Sequence, residues 1–96
     1  MEQPEHYYQN IIGQNIAKKR SALGWSQEQF AAKLQVKGWD ISRGTVAKIE
    51  SRIRLVTDIE LLFLAKVLRC DLTHLLEASS SEVLGLINKR SRNGTS

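Results

Sequence analysis

The sequence has a single cysteine, a single proline and no long hydrophobic run. Because Cys70 has no partner within the chain, an intramolecular disulfide is excluded and a reducing compartment is expected. No apolar segment approaches the roughly 20 residues that cross a bilayer, so a membrane span is not predicted. The first ten residues contain Glu2, Pro4 and Glu5 instead of the basic flank and apolar stretch of a secretory signal. We therefore expect a soluble cytoplasmic protein with one modest core.

The residue groups that carry out most enzymatic reactions are also missing. The sequence contains no recognisable Cys/His pair, carboxylate dyad, metal-ligand cluster or Gly-rich phosphate loop. We therefore expect neither catalysis nor a bound metal or cofactor, and the function must be sought in binding.

Positive charge, in contrast, is concentrated in one part of the chain. The net charge is +4, but residues 18–54 contain nine basic and three acidic residues, whereas residues 55–87 contain two basic and five acidic residues. A chain that used charge only to stay in solution would not be expected to separate it in this way. The basic half is therefore the part expected to meet an anionic partner such as a nucleic acid.

Two short helices are predicted within this basic half, and each has a recognisable start. Ser26 and Gln29 have the spacing of a capping box, and Trp25 and Phe30 flank them at the positions of a hydrophobic staple. The first helix is predicted over residues 27–36. Ser42 has the corresponding place before a second helix, predicted over residues 43–52.

Three further helices are predicted. The first covers about residues 10–23 and ends at Gly24. Another begins at Thr57, which has the spacing of a capping box with Glu60, and continues to about residue 69. The last is expected to be capped by Asp71 and to cover residues 72–77, with Leu72, Leu75 and Leu76 buried.

The second helix has two different sides. Val46, Ile49 and Ile53 recur at helical spacing and are predicted to face the core. The opposite side carries small, polar and basic residues, namely Arg43, Gly44, Ala47, Lys48 and Ser51. Hydrogen-bond donors with little bulk suit a helix that enters the major groove of DNA.

These features resemble the helix-turn-helix domain of the phage repressor and Cro family. The resemblance covers residues 12–77 and rests on Arg20, residues 23–28, Phe30, Ala31, Leu34, Ile41, Ser42, Thr45, Val46, Ile49, Glu50, Leu64, Ala65 and Leu68. It implies an all-α fold, a compact lambda-repressor-like bundle of five short helices. We divide the chain into a flexible N-terminal arm (residues 1–10), the helix-turn-helix domain (11–78) and a C-terminal extension (79–96). Apolar residues predict a helix at 82–89 of the extension and disorder from residue 90.

The side chains predicted to contact DNA bases lie on the second helix of the motif. Arg43 is at its N-terminal end and can donate to O6 and N7 of a guanine in a bidentate fork. Lys48 follows about one and a half turns later and can reach a second base or a phosphate. Gly44 and Ala47 complete the set, because their small size lets the backbone approach the groove closely.

A second set is predicted to contact the DNA backbone. Gln27 lies in the first turn of its helix, where free N–H groups attract anions, and the resemblance implies a backbone contact there. Arg52 and Arg54 are expected to bind phosphates without reading sequence. The full set consists of Ser26, Gln27, Ser42, Thr45, Ser51, Arg52 and Arg54.

Two further expectations concern the scaffold. The resemblance implies a structural ion pair between Arg20 in the first helix of the domain and Glu50 at the end of the groove-facing helix. The connection of residues 35–41 is about three residues longer than the family's usual turn. Gly38 is expected to allow its bend and Trp39 to pack it against the core.

The sequence therefore predicts a sequence-specific, duplex-DNA-binding transcriptional regulator, a repressor that acts as a homodimer on a two-fold site. Two alternatives stay open. The chain could be the antidote component of a toxin–antitoxin pair, or an interaction module that has lost DNA binding. In both alternatives the apolar segment 82–89 binds a protein partner.

Overall fold

The computed structural model describes residues 8–78 and 80–94, which form six helices and no strand. The predicted all-α fold is therefore confirmed for this part of the chain. The helices are α1 (Gly13–Ala22), α2 (Gln27–Val36), α3 (Arg43–Glu50), α4 (Asp58–Leu68), α5 (Leu72–Leu75) and α6 (Ser80–Gly94).

Side-chain caps explain why α2, α3 and α4 begin where they do. The Ser26 hydroxyl accepts a hydrogen bond from the N–H of Gln29, whose side chain in turn accepts from the N–H of Ser26. Thr57 and Glu60 form the same reciprocal box before α4. Ser42 caps α3 through the N–H of Thr45. Each cap satisfies N–H groups that the first helical turn leaves without a partner, and all three starts are as predicted.

Two helices, α3 and α5, end earlier than the sequence predicts. α1 ends near Leu23 as predicted, and Gly24 has the positive φ of 80° that a helix stop requires. α3 ends at Glu50, two residues early, because Arg52 adopts a left-handed φ of 70°. α5 is a single turn, and the side chain of Asp71, expected to cap it, makes no capping hydrogen bond.

The core lies where α1, α2, α3 and α4 meet, and α5 closes one end. Ile53 was predicted to face this core, but 59% of it is exposed because α3 ends before it. Leu72 and Leu76 are also exposed instead of buried. The buried apolar residues are Ile12, Ile16, Phe30, Ala31, Leu34, Ile41, Val46, Ile49, Leu64, Ala65, Leu68 and Leu75.

The long connection between α2 and α3 is packed against the domain as predicted. Gly38 has a φ of 110°, which allows the bend. Trp39 is half-buried and meets Phe63 of α4 edge to face, with ring centroids 5.9 Å apart. The side-chain amide of Gln35 donates to the carbonyl oxygen of Ile41 at 2.6 Å and closes the connection. The extra residues are thus accommodated without separating α2 from α3.

The C-terminal extension is more helical than predicted. α6 covers Ser80–Gly94 and so extends beyond residue 89, where the predicted helix ends. Val83 and Leu86 are half-buried over a groove of about 410 Å³ beside Ile11 and Leu61, whereas Leu84 is exposed. Residues 1–7, 79, 95 and 96, which include most of the predicted arm, lie outside the described residues.

Candidate nucleic-acid interface

Helix α3 separates a core side from a solvent side in the way that the sequence predicts. Val46 and Ile49 are fully buried, while Arg43, Gly44 and Lys48 are exposed and Thr45 and Ala47 are partly exposed. Packing against α1 and α2 fixes the core side, so the solvent side is presented at a defined angle. This side contains the four residues predicted to contact bases.

A hydrogen-bonded network holds the two ends of α3 to the rest of the domain. The Nε of Arg20 donates to Glu50 at 2.7 Å and its Nη2 donates to the second carboxylate oxygen at 3.1 Å, forming the bidentate pair that the resemblance implied. The Nη1 of Arg20 donates to the carbonyl oxygen of Trp25 at 2.7 Å. These contacts raise the pKa of Arg20 above its ordinary value, chiefly through the hydrogen bonds with Glu50. The pair ties α1 to the end of α3.

Gln27 connects this pair to the exposed side of α3. Its amide nitrogen donates to Glu50 at 2.9 Å, and its amide oxygen accepts from Nη1 of Arg43 at 3.3 Å. Sequence reasoning placed Gln27 only among the backbone contacts and did not foresee that it links Glu50 to Arg43. A glutamine in the first turn of α2, next to an arginine at the start of α3, is consistent with both roles.

The predicted hydroxyl contacts are close to α3 but already serve local structure. Ser26 and Ser42 cap their helices, and the hydroxyls of Ser42 and Thr45 lie 3.2 Å apart. Ser51 donates to the carbonyl oxygen of Ala47 at 2.9 Å. Because a hydroxyl has further hydrogen-bonding capacity beyond one contact, these groups can also accept or donate at the surface.

Arg52 is not the exposed phosphate contact that the sequence predicts. Only 6% of it is exposed, and its guanidinium donates to the carbonyl oxygen of Asn10 at 2.9 Å and to Glu82 of α6 at 2.8 Å. The same group lies 4.2 Å from the centre of the Tyr8 ring. The left-handed backbone at Arg52 turns the side chain inward, and this conformation could not be inferred from helical periodicity.

Arg54 is partly exposed but has an acidic partner. Its guanidinium donates to both carboxylate oxygens of Glu60, at 2.9 and 3.2 Å. Hydrogen bonding by Arg54 holds the pKa of Glu60 below its ordinary value, and the N–H of Thr57 adds to the effect. A phosphate contact by Arg54 must therefore compete with Glu60.

Sequence reasoning missed Asn10, which connects the start of α1 to the end of α3. Its side-chain oxygen accepts from the N–H groups of Ile12 and Gly13 at 3.1 and 2.8 Å. Its amide nitrogen donates to the carbonyl oxygens of Ile49 and Arg54 at 3.2 and 2.9 Å. The available signal was an asparagine at the start of the predicted first helix, where this residue is a favoured cap.

The described residues do not have the features of a metal site or a membrane span. No group of three or more His, Cys, Asp or Glu side chains that could hold a metal ion occurs in the described part of the chain. None of its helices is long and apolar enough to cross a membrane. Cys70 is half-buried, and burial raises the pKa of its thiol.

Comparison with known proteins agrees with this geometry. The sequence matches a helix-turn-helix family model over residues 16–75, well over half of the chain. The crystal structure of the restriction-modification controller protein C.AhdI from Aeromonas hydrophila is similar, with 29% sequence identity and a TM-score of 0.58. The match covers 68% of this chain and 87% of that one.

A chain in the structure of the SinR protein/SinI protein complex has the same fold, with 24% identity and a TM-score of 0.58, over 90% of this chain and 84% of that one. No curated protein matches the sequence. The family match and the capped, clamped α2–α3 unit lead to one identification. The chain belongs to the helix-turn-helix family of the phage repressor and Cro type, and it is a DNA-binding transcriptional regulator.

Proposed function

We propose that this protein is a repressor that recognises a specific operator by placing α3 in the major groove. The observation that carries the proposal is the exposed side of α3, where Arg43 and Lys48 flank small residues on a helix whose other side is fixed in the core. Repression follows if the bound protein occludes a promoter.

Base recognition is assigned to the exposed side of α3. Arg43 lies in the first turn, the part of a recognition helix that reaches base edges, and a guanine is the base that a bidentate arginine reads best. Lys48 is assigned to a second base or a nearby phosphate. Gly44 and Ala47 permit close approach of the helix backbone.

Contacts with the DNA backbone are assigned to residues at the N-terminal ends of α2 and α3 and to Ser51 and Arg54, which follow α3. Helix N-termini favour phosphates because their N–H groups point outward. Arg54 is kept as a weaker contact that exchanges Glu60 for a phosphate, whereas Arg52 is removed from this set. The remaining members are Ser26, Gln27, Ser42, Thr45 and Ser51.

We further propose that the repressor binds as a homodimer. Dimeric helix-turn-helix proteins recognise two half-sites about one turn of the DNA helix apart, so a two-fold dimer matches a two-fold operator. The acidic half of the chain exposes large apolar side chains that DNA would not cover, among them Ile59 and Leu62 of α4 and Leu84 and Ile87 of α6. Burial of such side chains between two copies would favour association.

The proposed recognition is tested by selecting bound duplexes from a random pool at moderate salt. We expect enrichment of an inverted repeat. Arg43→Ala should then relax the preference at one position per half-site, with a loss of about 1–3 kcal/mol of discrimination. Lys66→Ala, which removes the same charge from the exposed side of α4, is the matched control and should leave the selected motif unchanged. Recovery of no motif, together with binding that vanishes as salt rises, would reject sequence-specific recognition.

A protein partner at α6 is the second candidate function. It is supported by the exposure of Leu84 and Ile87 on a helix that lies outside the matched family region. The similar SinR chain comes from a complex with another protein, SinI. If no DNA motif were recovered, the full chain would be used to isolate a bound protein partner. Leu84→Asn should then abolish binding of that partner if it contacts α6.

A further inference from the structure

Arg52 joins three segments that are distant in sequence. It follows α3, its guanidinium bonds Asn10 and Glu82, and its own carbonyl oxygen accepts from the N–H of Gln9 at 2.9 Å. Its side chain therefore meets the segment before α1, the end of α3 and the first turn of α6 at one place. We call the group formed by Tyr8, Asn10, Gly13, Arg52 and Glu82 the α3 joint.

The α3 joint is packed too closely for the end of α3 to move independently. A Cβ added at Gly13 would collide with the carbonyl oxygen of Ile49 and would lie 2.8 Å from both the carbonyl oxygen of Glu50 and Cγ of Arg52. Real Cβ atoms essentially never come so close to other atoms. The last turn of α3 therefore rests directly on the start of α1, with Arg52 beside the contact.

The two members of the ion pair differ in their access to water. The side chain of Arg52 is 7% exposed and that of Glu82 is 39% exposed. This ion pair connects α6 to the domain. The half-exposed carboxylate can leave with α6, whereas the guanidinium would stay in the joint without an anion.

A buried guanidinium that loses its carboxylate is unfavourable, since the attraction that offset its desolvation is gone. The side chain then gains by turning toward solvent, and this movement releases the Asn10 carbonyl oxygen and the Tyr8 ring. Asn10 also holds the carbonyl oxygen of Ile49. Loss of Glu82 is thus transmitted to the last turn of α3 through groups that touch it directly.

We propose that Arg52 is a positioning residue for DNA recognition, which couples the seating of α6 to the orientation of α3. The inference rests on the proposed groove-reading role of α3 and adds to it that the C-terminal extension controls specificity. A seated α6 holds α3 at the angle that fits bases. An unseated α6 lets the end of α3 shift and exposes Arg52 as an additional cation that binds phosphate without reading sequence.

The test compares Glu82→Gln with Glu77→Gln in the full chain. Both variants remove one negative charge, but Glu77 is exposed at the end of α5 and lies outside the α3 joint. Affinity is measured for the selected inverted-repeat duplex and for a scrambled duplex of equal length, at a temperature where both variants are folded. We expect Glu82→Gln to lower specific affinity roughly 5-fold or more, a typical coupling between linked sites. Affinity for the scrambled duplex should be unchanged or higher.

The ratio of specific to non-specific affinity distinguishes a change in the orientation of α3 from a general loss of folding stability. Partial unfolding would weaken both affinities by the same factor and leave the ratio unchanged. Arg52→Lys is the second variant, because one ammonium group cannot reproduce both guanidinium contacts, so the ratio should fall again. Equal ratios for the wild type, Glu82→Gln and Arg52→Lys would overturn the proposal.

Hydrogen exchange in the free protein tests the same coupling without DNA. Glu82→Gln should accelerate exchange of the Arg52 and Ile53 amides, which donate to Ile49 and Lys48 in the last turn of α3, while the core amide of Leu34 keeps its rate. Unchanged exchange at Arg52 and Ile53 would overturn the coupling even if operator selection succeeded. Accelerated exchange with no selected operator would instead retain the coupling and reject the proposed function.

Discussion

At the scale of single residues, the carboxylate of Glu50 connects three helices. It accepts two hydrogen bonds from Arg20 and one from Gln27. It is nearly buried, since its side chain is 7% exposed. A residue at the end of α3 thus ties α3 to α1 and is linked through Gln27 to Arg43 at the start of α3.

Removing this carboxylate should therefore cost stability. We expect Glu50→Ala to lower the free energy of unfolding by about 3 kcal/mol, the low end for breaking a buried pair, because Arg20 keeps some access to water. Urea denaturation measures the change. Glu77→Ala removes an exposed carboxylate and should change the free energy by less than about 0.5 kcal/mol. Equal losses in the two variants would show that the Arg20–Glu50 pair contributes nothing specific.

A second residue-scale prediction concerns acid stability. Hydrogen bonding by Arg54 holds the pKa of Glu60 below its ordinary value of 4.5, so the unfolded chain binds this proton more readily than the folded chain. The stabilisation by this pair is complete above the unfolded pKa and is lost as pH falls through the folded pKa. Glu60→Gln keeps a side chain that can complete the capping box with Thr57 but loses the charge.

The difference in melting temperature between the wild type and Glu60→Gln should consequently shrink as pH falls from about 6 to about 3. Thermal melts followed by circular dichroism at several pH values provide the measurement. Glu77→Gln, for which no comparable partner is expected, should track the wild type. A difference between wild type and Glu60→Gln that stayed constant over this range would contradict the inferred pKa shift.

At the scale of helices, the starts of helices could be predicted from neighbouring residues better than their ends could. The starts of α2, α3 and α4 could be predicted because a cap needs only a hydroxyl and the next few residues. The end of α3 could not, because it depends on the left-handed conformation of Arg52 and on contacts with Asn10 and Glu82, which are far away in sequence. The same local bias left Asn10 unnoticed and placed Ile53 in the core.

Replacing Gly13 or Gly44 with alanine is expected to change the stability of the protein in opposite directions. Gly13→Ala should destabilise the protein by about 2 kcal/mol, since the new Cβ meets backbone atoms that cannot move aside without displacing α3. At Gly44 the nearest atom to a new Cβ is Oγ of Ser42 at 3.7 Å, so Gly44→Ala should stabilise α3 by about 0.5 kcal/mol.

The same Gly44→Ala variant should nonetheless bind the selected operator more weakly, because its added methyl group faces the proposed groove. Thermal melts and titrations with the operator duplex separate the two effects. A variant that gained both stability and affinity would mean that Gly44 does not approach DNA. A Gly13→Ala variant as stable as the wild type would contradict the close contact between α1 and α3.

At the scale of the whole molecule, the basic charge and most of the exposed large apolar side chains lie in different parts of the chain. The basic residues 18–54 include the recognition helix, whereas the acidic residues 55–87 include α4, α5 and the start of α6. The sequence was sufficient to predict this division and the family, since both depend on composition and local motifs. The ion pair between Glu82 of α6 and Arg52 could be seen only in the folded structure, because the two residues are 30 positions apart in the sequence.

This division predicts that dimerisation and DNA reading can be uncoupled. Leu84 and Ile87 are more than half exposed on α6, and replacing both with Asn should convert a dimer into a monomer without touching α3. Sedimentation velocity at micromolar concentration measures the change. Val36→Asn is the matched control, since Val36 is 84% exposed on α2 and away from α6.

The double variant should lose affinity for the inverted repeat while keeping the wild-type affinity for an isolated half-site, because each copy still presents its own α3. A wild-type monomer at these concentrations, or a double variant that stays dimeric, would place the two-fold contact elsewhere or exclude it.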